Sequence, residues 1–192
     1  MFRETAINDI QRSSALDDTC AGLVMDEETF RGFYDRTARG LWAYLARVTG
    51  DRQLAEDLLQ ETFYRFLRAA ATYDSEAHRR NSLYRIATNL ARDARRRSLA
   101  RAGSAPAGDD IERLPSGQDA GTTERTTDFT RAMSRLKPRE RAMLWLAYAE
   151  GASHREIADV LGLQPSSLKA LLFRARRKLA DLLGRPPIGG KL

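Results

Sequence analysis

From Phe30 onward the apolar positions of this chain recur at helical spacing. Phe33, Tyr34, Ala38, Leu41, Trp42, Leu45 and Val48 continue one stripe, and Gly50 and Asp51 punctuate its end. A second helix is predicted from about Arg52 to Ala70, with Leu54, Leu58, Leu59, Phe63, Phe66 and Leu67 as its apolar face. A third begins near Asn81, carries Leu83, Ile86, Ala87 and Leu90, and runs into Arg92, Arg95, Arg96 and Arg97. Nothing in residues 26–97 alternates as a strand does, so this part reads as a small helical bundle.

The periodicity lapses over residues 98–127, which are rich in Ala, Gly, Ser, Pro, Thr and Asp. Such a segment buries too little to offset the entropy of ordering it. It reads as a flexible linker; the competing reading is a long surface loop inside one domain. The pattern returns at Phe129, Met133 and Leu136. Pro138 then stands at a helix start, and Leu144, Trp145, Ala147 and Tyr148 follow before Glu150 and Gly151. Ser153 and Glu156 fit a capping box. Ile157, Ala158 and Leu161 pack inward, and Gly162 breaks the helix. Pro165 and Ser166 open the next helix, whose apolar positions include Leu168, Leu171, Leu172, Ala175 and Leu179. A short helix, a glycine turn and a second helix make a helix-turn-helix. The predicted fold is therefore all-α, two small helical domains joined by a flexible linker, the C-terminal one a helix-turn-helix domain. Its parts are an N-terminal extension (1–23), a first domain (24–97), the linker (98–127), the second domain (128–184) and a C-terminal tail (185–192).

Composition narrows the function. The 192 residues are 42% hydrophobic and 30% charged, as globular chains are. No apolar run approaches the roughly 20 residues that cross a bilayer. The N-terminus lacks a basic start followed by an apolar core, so a cytoplasmic protein is expected. The lone Cys20 excludes an intramolecular disulfide framework, and with only two His a zinc site is poorly supplied. No metal or cofactor is expected. The net charge of +6 is uneven: −2 over residues 1–23, +3 over 24–97, −2 over 98–127 and +7 over 128–192. A positive field of this kind draws phosphate polyanions, though an acidic protein or an anionic membrane suits it too.

Four polar positions interrupt the second helix: Glu56, Asp57, Gln60 and Glu61. They pair at four-residue spacing and form either a solvated acidic face or a docking surface for a protein. Di-iron chemistry would need Glu-x-x-His on facing helices, and this helix has no histidine. A metal-dependent nuclease would need carboxylates from more than one element, so the chain is not read as an enzyme. The polar stretch between the second and third helices reads as a loop carrying Tyr73, His78, Arg79 and Arg80. An aromatic and guanidinia beside a basic helix suit an unstacked base. Arg92 and the arginines after it are either phosphate ligands or a helix end favoured by the dipole. The helix after Gly162 presents Ser166, Ser167, Lys169, Ala170, Phe173, Arg174 and Arg177. Its first turn suits phosphate, and its first residues can enter a major groove. Lys169 and Arg174 suit phosphate or guanine, the serines either, and Arg155 a backbone contact. Trp145 and Phe129 are expected in the core.

Three stretches carry a resemblance: RQLAEDLLQETFYRFLRA, NSLYRIATNLARDARRR and LKPRERAMLWLAYAEGASHREIADVLGLQPSSLKALLFRARRKL. In that order they resemble the polymerase-binding segment, the promoter-melting helix and the C-terminal helix-turn-helix of the extracytoplasmic-function (ECF) sigma factors. The resemblance covers about residues 25–97 and 128–184. It implies that Leu54, Glu56, Asp57, Leu58, Gln60, Glu61 and Phe63 bind the clamp coiled coil of the largest subunit of core RNA polymerase. It implies a −10 element recognised and melted by the loop 72–80, with Tyr73, His78, Arg79 and Arg80, and by Asn81, Arg85, Asn89 and Arg92. A flipped base would be captured near Tyr73. The −35 element would be read by Ser166, Ser167, Lys169, Ala170, Phe173 and Arg174, with Arg139, Arg141 and Arg155 on phosphates. The partners implied are core polymerase, promoter DNA and an anti-sigma factor. The chain departs from the family pattern at Ser82, where members often carry Trp, at Leu171, often Arg, and at Ala170, often small and polar. The competing reading is a helix-turn-helix regulator acting without polymerase, which leaves the acidic-apolar helix without a role.

Overall fold

A computed structural model describes residues 25–69, 71–101 and 124–184, and every regular element among them is helical. In chain order these are α1 (Glu27–Thr49), α2 (Arg52–Arg68), α3 (Glu76–Arg101), α4 (Glu124–Ser134), α5 (Pro138–Tyr148), α6 (His154–Leu161) and α7 (Pro165–Leu182). The N-terminal extension, the middle of the linker and the whole C-terminal tail lie outside the described residues.

Local chemistry sets the boundaries. Gly50 adopts the left-handed conformation (φ 75°) that closes α1, and Asp51 immediately caps α2 by accepting from the Leu54 amide at 3.0 Å. The third helix corrects the expected loop. It starts at Glu76 rather than near Asn81, because Ser75 accepts from the His78 amide at 3.1 Å and so caps it. His78, Arg79 and Arg80 therefore sit on the first turns of α3. The helix also runs on to Arg101, and α4 begins at Glu124, so helix intrudes on both ends of the predicted linker.

The first bundle, α1–α3, packs Phe33 against Phe66 with ring centroids 5.3 Å apart, over Leu41, Leu45 and Leu83. Tyr44 is fully enclosed, and its hydroxyl pairs with Thr88 Oγ1 at 2.7 Å; burial pushes that hydroxyl's pKa up to about 12. Leu67, expected in this core, is 46% exposed. It lies one residue past Phe66, a rotation of about 100° on a helix of about 3.6 residues per turn.

In the second bundle, α4–α7, the capping box forms as expected: Ser153 N donates to Glu156 Oε2 at 2.7 Å, and Glu156 N donates to Ser153 Oγ at 3.3 Å. Gly162 takes φ 63°, ψ 46°, and α7 opens on Pro165. Ile157, Ala158 and Leu168 are fully buried between the crossing helices. Lys178 ties α7 to α5 through Glu140 at 2.9 Å. Phe129, expected inside, is exposed, and Trp145 is only half-buried.

The two bundles also pack on each other. α1 lies against α5 and α3 against α6, and the buried apolar residues of both form one continuous cluster.

Candidate nucleic-acid interface

α7 separates its duties by face. Leu168, Leu172 and Ala175 are buried at helical spacing. The opposite face exposes Ser166, Ser167, Lys169, Ala170, Phe173 and Arg174 to solvent. Arg155, on α6, is exposed as well. Phe173 is 56% exposed among basic neighbours, so the face pairs cations for phosphate with an apolar surface for a base edge. Arg139 and Arg141 sit elsewhere. Both are half-buried where α5 meets the first bundle, and Arg141 donates to the Val48 carbonyl at 3.2 Å. Burial first, and Arg95 second, lower the Arg141 pKa to about 10, so the guanidinium stays charged.

The residues assigned to the −10 element fall into three groups. Arg85 and Asn89 project freely from α3. Asn81 donates to Glu156 Oε1 at 2.9 Å, and Arg92 donates to the Leu161 carbonyl at 2.6 Å. Tyr73 is half-buried, its ring stacked on Phe66 at 5.4 Å with an interplanar angle of 11°. His78 packs edge-on to that ring, and the Arg79 guanidinium lies 5.9 Å from its centroid. Tyr73 thus anchors the start of α3 to the bundle. Arg80 is half-buried, its charge near Glu156 of α6.

On α2, Glu56, Asp57 and Gln60 are exposed, while Leu54 and Glu61 are partly so. Glu61 pairs with Arg65 at 2.6 Å. Leu58 and Phe63, carried over as contacts, are only 5% exposed; they support this face from inside rather than forming it. Their place on the surface is taken by Tyr64 (54% exposed) and Leu67 (46%). These two extend the polar row of Asp57, Gln60 and Glu61 by one turn each. The signal was present in that spacing, but both residues also fit an apolar stripe.

Among the described residues no group of three His, Cys, Asp or Glu is placed to hold a metal ion. None of the described helices is long and apolar enough to cross a membrane. The arrangement suits recognition: one exposed basic face and one acidic-apolar face, on opposite bundles.

Residues 33–101 match the family described as sigma-70 region 2, and residues 126–179 match sigma-70, region 4. The RNA polymerase sigma factor CarQ of Myxococcus xanthus is 30% identical over 158 residues, covering 82% of this chain and 91% of CarQ. The ECF RNA polymerase sigma factor SigL of Mycobacterium tuberculosis is 31% identical over 161 residues, covering 78% and 85%. SigE of Mycolicibacterium smegmatis is 33% identical over 165 residues; the matched part is 83% of this chain but only 62% of SigE, so this chain spans less than two thirds of that relative. The fold is also that of the sigma factor RpoE of Bartonella quintana, solved in complex with the anti-sigma factor NepR. The TM-score is 0.63 at 22% identity, over 81% of this chain and 96% of that one.

Proposed function

Because the chain belongs to the ECF RNA polymerase sigma factors, we propose that it binds core RNA polymerase, recognises −35 and −10 promoter elements and starts transcription there. The observation that carries this reading is the presence of sigma-70 regions 2 and 4 in one chain, in that order. The exposed basic face of α7 supports a −35 reader, and the acidic-apolar face of α2 supports polymerase docking. No catalytic side chain is needed. Two modest readouts on one chain raise each other's effective concentration, and captured unpaired bases offset lost stacking. The same reading places the working protein in the cytoplasm, where core polymerase and promoters are. It also gives the chain an anti-sigma factor as a partner, as the Bartonella quintana sigma factor has.

Run-off transcription with purified core polymerase, followed by genome-wide mapping of start sites, tests the function. Defined starts preceded by shared −35 and −10 sequences are expected. Tight duplex binding with no polymerase-dependent transcripts would instead favour the stand-alone regulator. In a pull-down with core polymerase, Asp57→Ala combined with Glu61→Ala lowers capture by about tenfold, taking about 1.4 kcal/mol for two docking charges. Undiminished capture removes α2 from the docking surface.

A further inference from the structure

The two reading helices are not equally free. The −35 face of α7 meets only solvent among the described residues, whereas one flank of α3 is gripped by the second bundle. Among the described residues, the polar ties that cross the seam include three from side chains of α3 and α5. Arg92 of α3 donates to the carbonyl of Leu161, the last residue of α6, at 2.6 Å. Arg141 of α5 donates to the carbonyl of Val48, in the last turn of α1, at 3.2 Å. Asn81 of α3 donates to Glu156 of α6 at 2.9 Å.

The two arginine ties are reciprocal. Each bundle sends a guanidinium to the C-terminal end of a helix in the other. The last carbonyls of a helix lack partners within it, and the dipole there is negative, so a cation is doubly favoured. Bonds from a charged donor are also stronger than neutral ones. Beside them the Arg47 guanidinium lies 4.4 Å from the centroid of the Trp145 ring. Gly40 marks a close approach. A β-carbon there would stand 3.2 Å from Glu150 Oε1 and 3.4 Å from the Tyr84 hydroxyl, so α1, α3 and the end of α5 converge over a position with no side chain.

We propose that this seam is an intramolecular latch: in the free chain α6 occupies Asn81 and Arg92 and withholds the melting helix, while α7 stays open to duplex. The inference rests on the sigma-factor reading above. The donors of Asn81 and Arg92 that bond α6 cannot serve DNA in the same arrangement. A partner that engages the first bundle must therefore either break the ties or work without Asn81 and Arg92. Opening costs free energy, and a factor that opens easily needs less polymerase to be captured in the active form.

The test uses the full chain with Cys20→Ser and spin labels on cysteines introduced at the exposed positions Arg31 and Arg176, one in each bundle. Pulsed electron resonance gives the distance distribution, and run-off transcription gives the factor concentration at half-maximal output. The parent is expected to show one narrow distribution. Gly40→Ala keeps it, because the carboxylate end of Glu150 can yield by a few tenths of an ångström. Gly40→Leu wedges the seam, gives a broad distribution at longer distance, and lowers the half-maximal concentration about tenfold, within the usual range of coupling between sites. Arg47→Ala, which removes the contact to Trp145 without adding bulk, moves both readouts the same way and serves if Gly40→Leu loses helicity by circular dichroism. A parent distribution already broad and long overturns the latch. So does an opened variant whose half-maximal concentration is unchanged. Failure of the parent and both variants to support any transcription falls on the sigma-factor reading, and the distance distributions still decide whether the seam closes.

Discussion

α3 and α7 are both basic helices assigned to promoter recognition, yet they use their cations differently. On α7 the apolar stripe does the packing, and Lys169 and Arg174 contribute nothing to it among the described residues. On α3 two of the proposed reading residues, Asn81 and Arg92, also hold the second bundle in place. Stability and recognition are therefore separable on α7 and merged on α3. The lesson concerns where a regulatory contact can be built. A reading face with no second duty is always available, whereas one that doubles as a structural donor has to be released.

The largest effect that sharpens this contrast is a core truncation beside a surface one. Leu168 is fully buried, and Lys169, the next residue, is exposed. Leu168→Ala is expected to destabilise the second bundle by about 2–5 kcal/mol in denaturant unfolding. Lys169→Ala should stay within about 0.5 kcal/mol of the parent. Comparable losses from both would mean that α7 does not divide its faces in this way.

Next in size is the pair Arg174→Ala and Arg92→Ala. Removing Arg174 should weaken −35 duplex binding by about 1–3 kcal/mol if it reads a base, or lower the salt slope by about one unit if it holds a phosphate. Unfolding should not change. Arg92→Ala should instead lower the unfolding midpoint, because it leaves the Leu161 carbonyl without its charged donor. If Arg92→Ala leaves stability untouched and Arg174→Ala reduces it, the comparison is inverted and the assignment of roles is wrong.

The features legible in the sequence were the local ones. Ser153, Glu156, Gly162 and Pro165 specify a cap, a turn and a helix start within a dozen residues, each through a bond or a backbone conformation of its own. The α7 face followed from periodicity alone. The seam left no such trace. Its ties join residues 69, 75 and 93 positions apart, and an arginine bound to a carbonyl has no periodic signature. The start of α3 was hidden for a related reason: Ser75 caps a first turn whose only apolar residue is Ala77, so no apolar rhythm announced it. Tyr73 was legible as an aromatic beside arginines, but its stacking on Phe66 depends on where α2 ends in space.

Smaller effects test how far the cap of α6 supports the latch. Ser153→Ala removes the acceptor for the Glu156 amide and should cost about 1 kcal/mol. Because α6 supplies both Glu156 and the Leu161 carbonyl to α3, its fraying should also broaden the distance distribution between the bundles. A loss of stability with an unchanged distribution would show that the seam tolerates a loosened α6.

The finest test is the pH response of Glu156. Its carboxyl faces the Ser153 hydroxyl and amide, the Asn81 amide and the charge of Arg80. The Ser153 bond first, and Asn81 second, hold its pKa below the ordinary 4.5. A folded-state pKa that is depressed stabilises the folded form above the ordinary value, and that contribution fades as pH falls through the folded one. Glu156→Gln keeps the shape and removes the charge. At pH 6 the parent should therefore unfold at a higher temperature than Glu156→Gln, and the gap should close as the pH is taken below 4. The side chain is part-buried but lies at the edge of the seam where solvent screens it, so the difference at pH 6 should be at most about 1 kcal/mol. A gap that stays constant across this range would mean that the ionised form of Glu156 is not what joins the cap of α6 to α3.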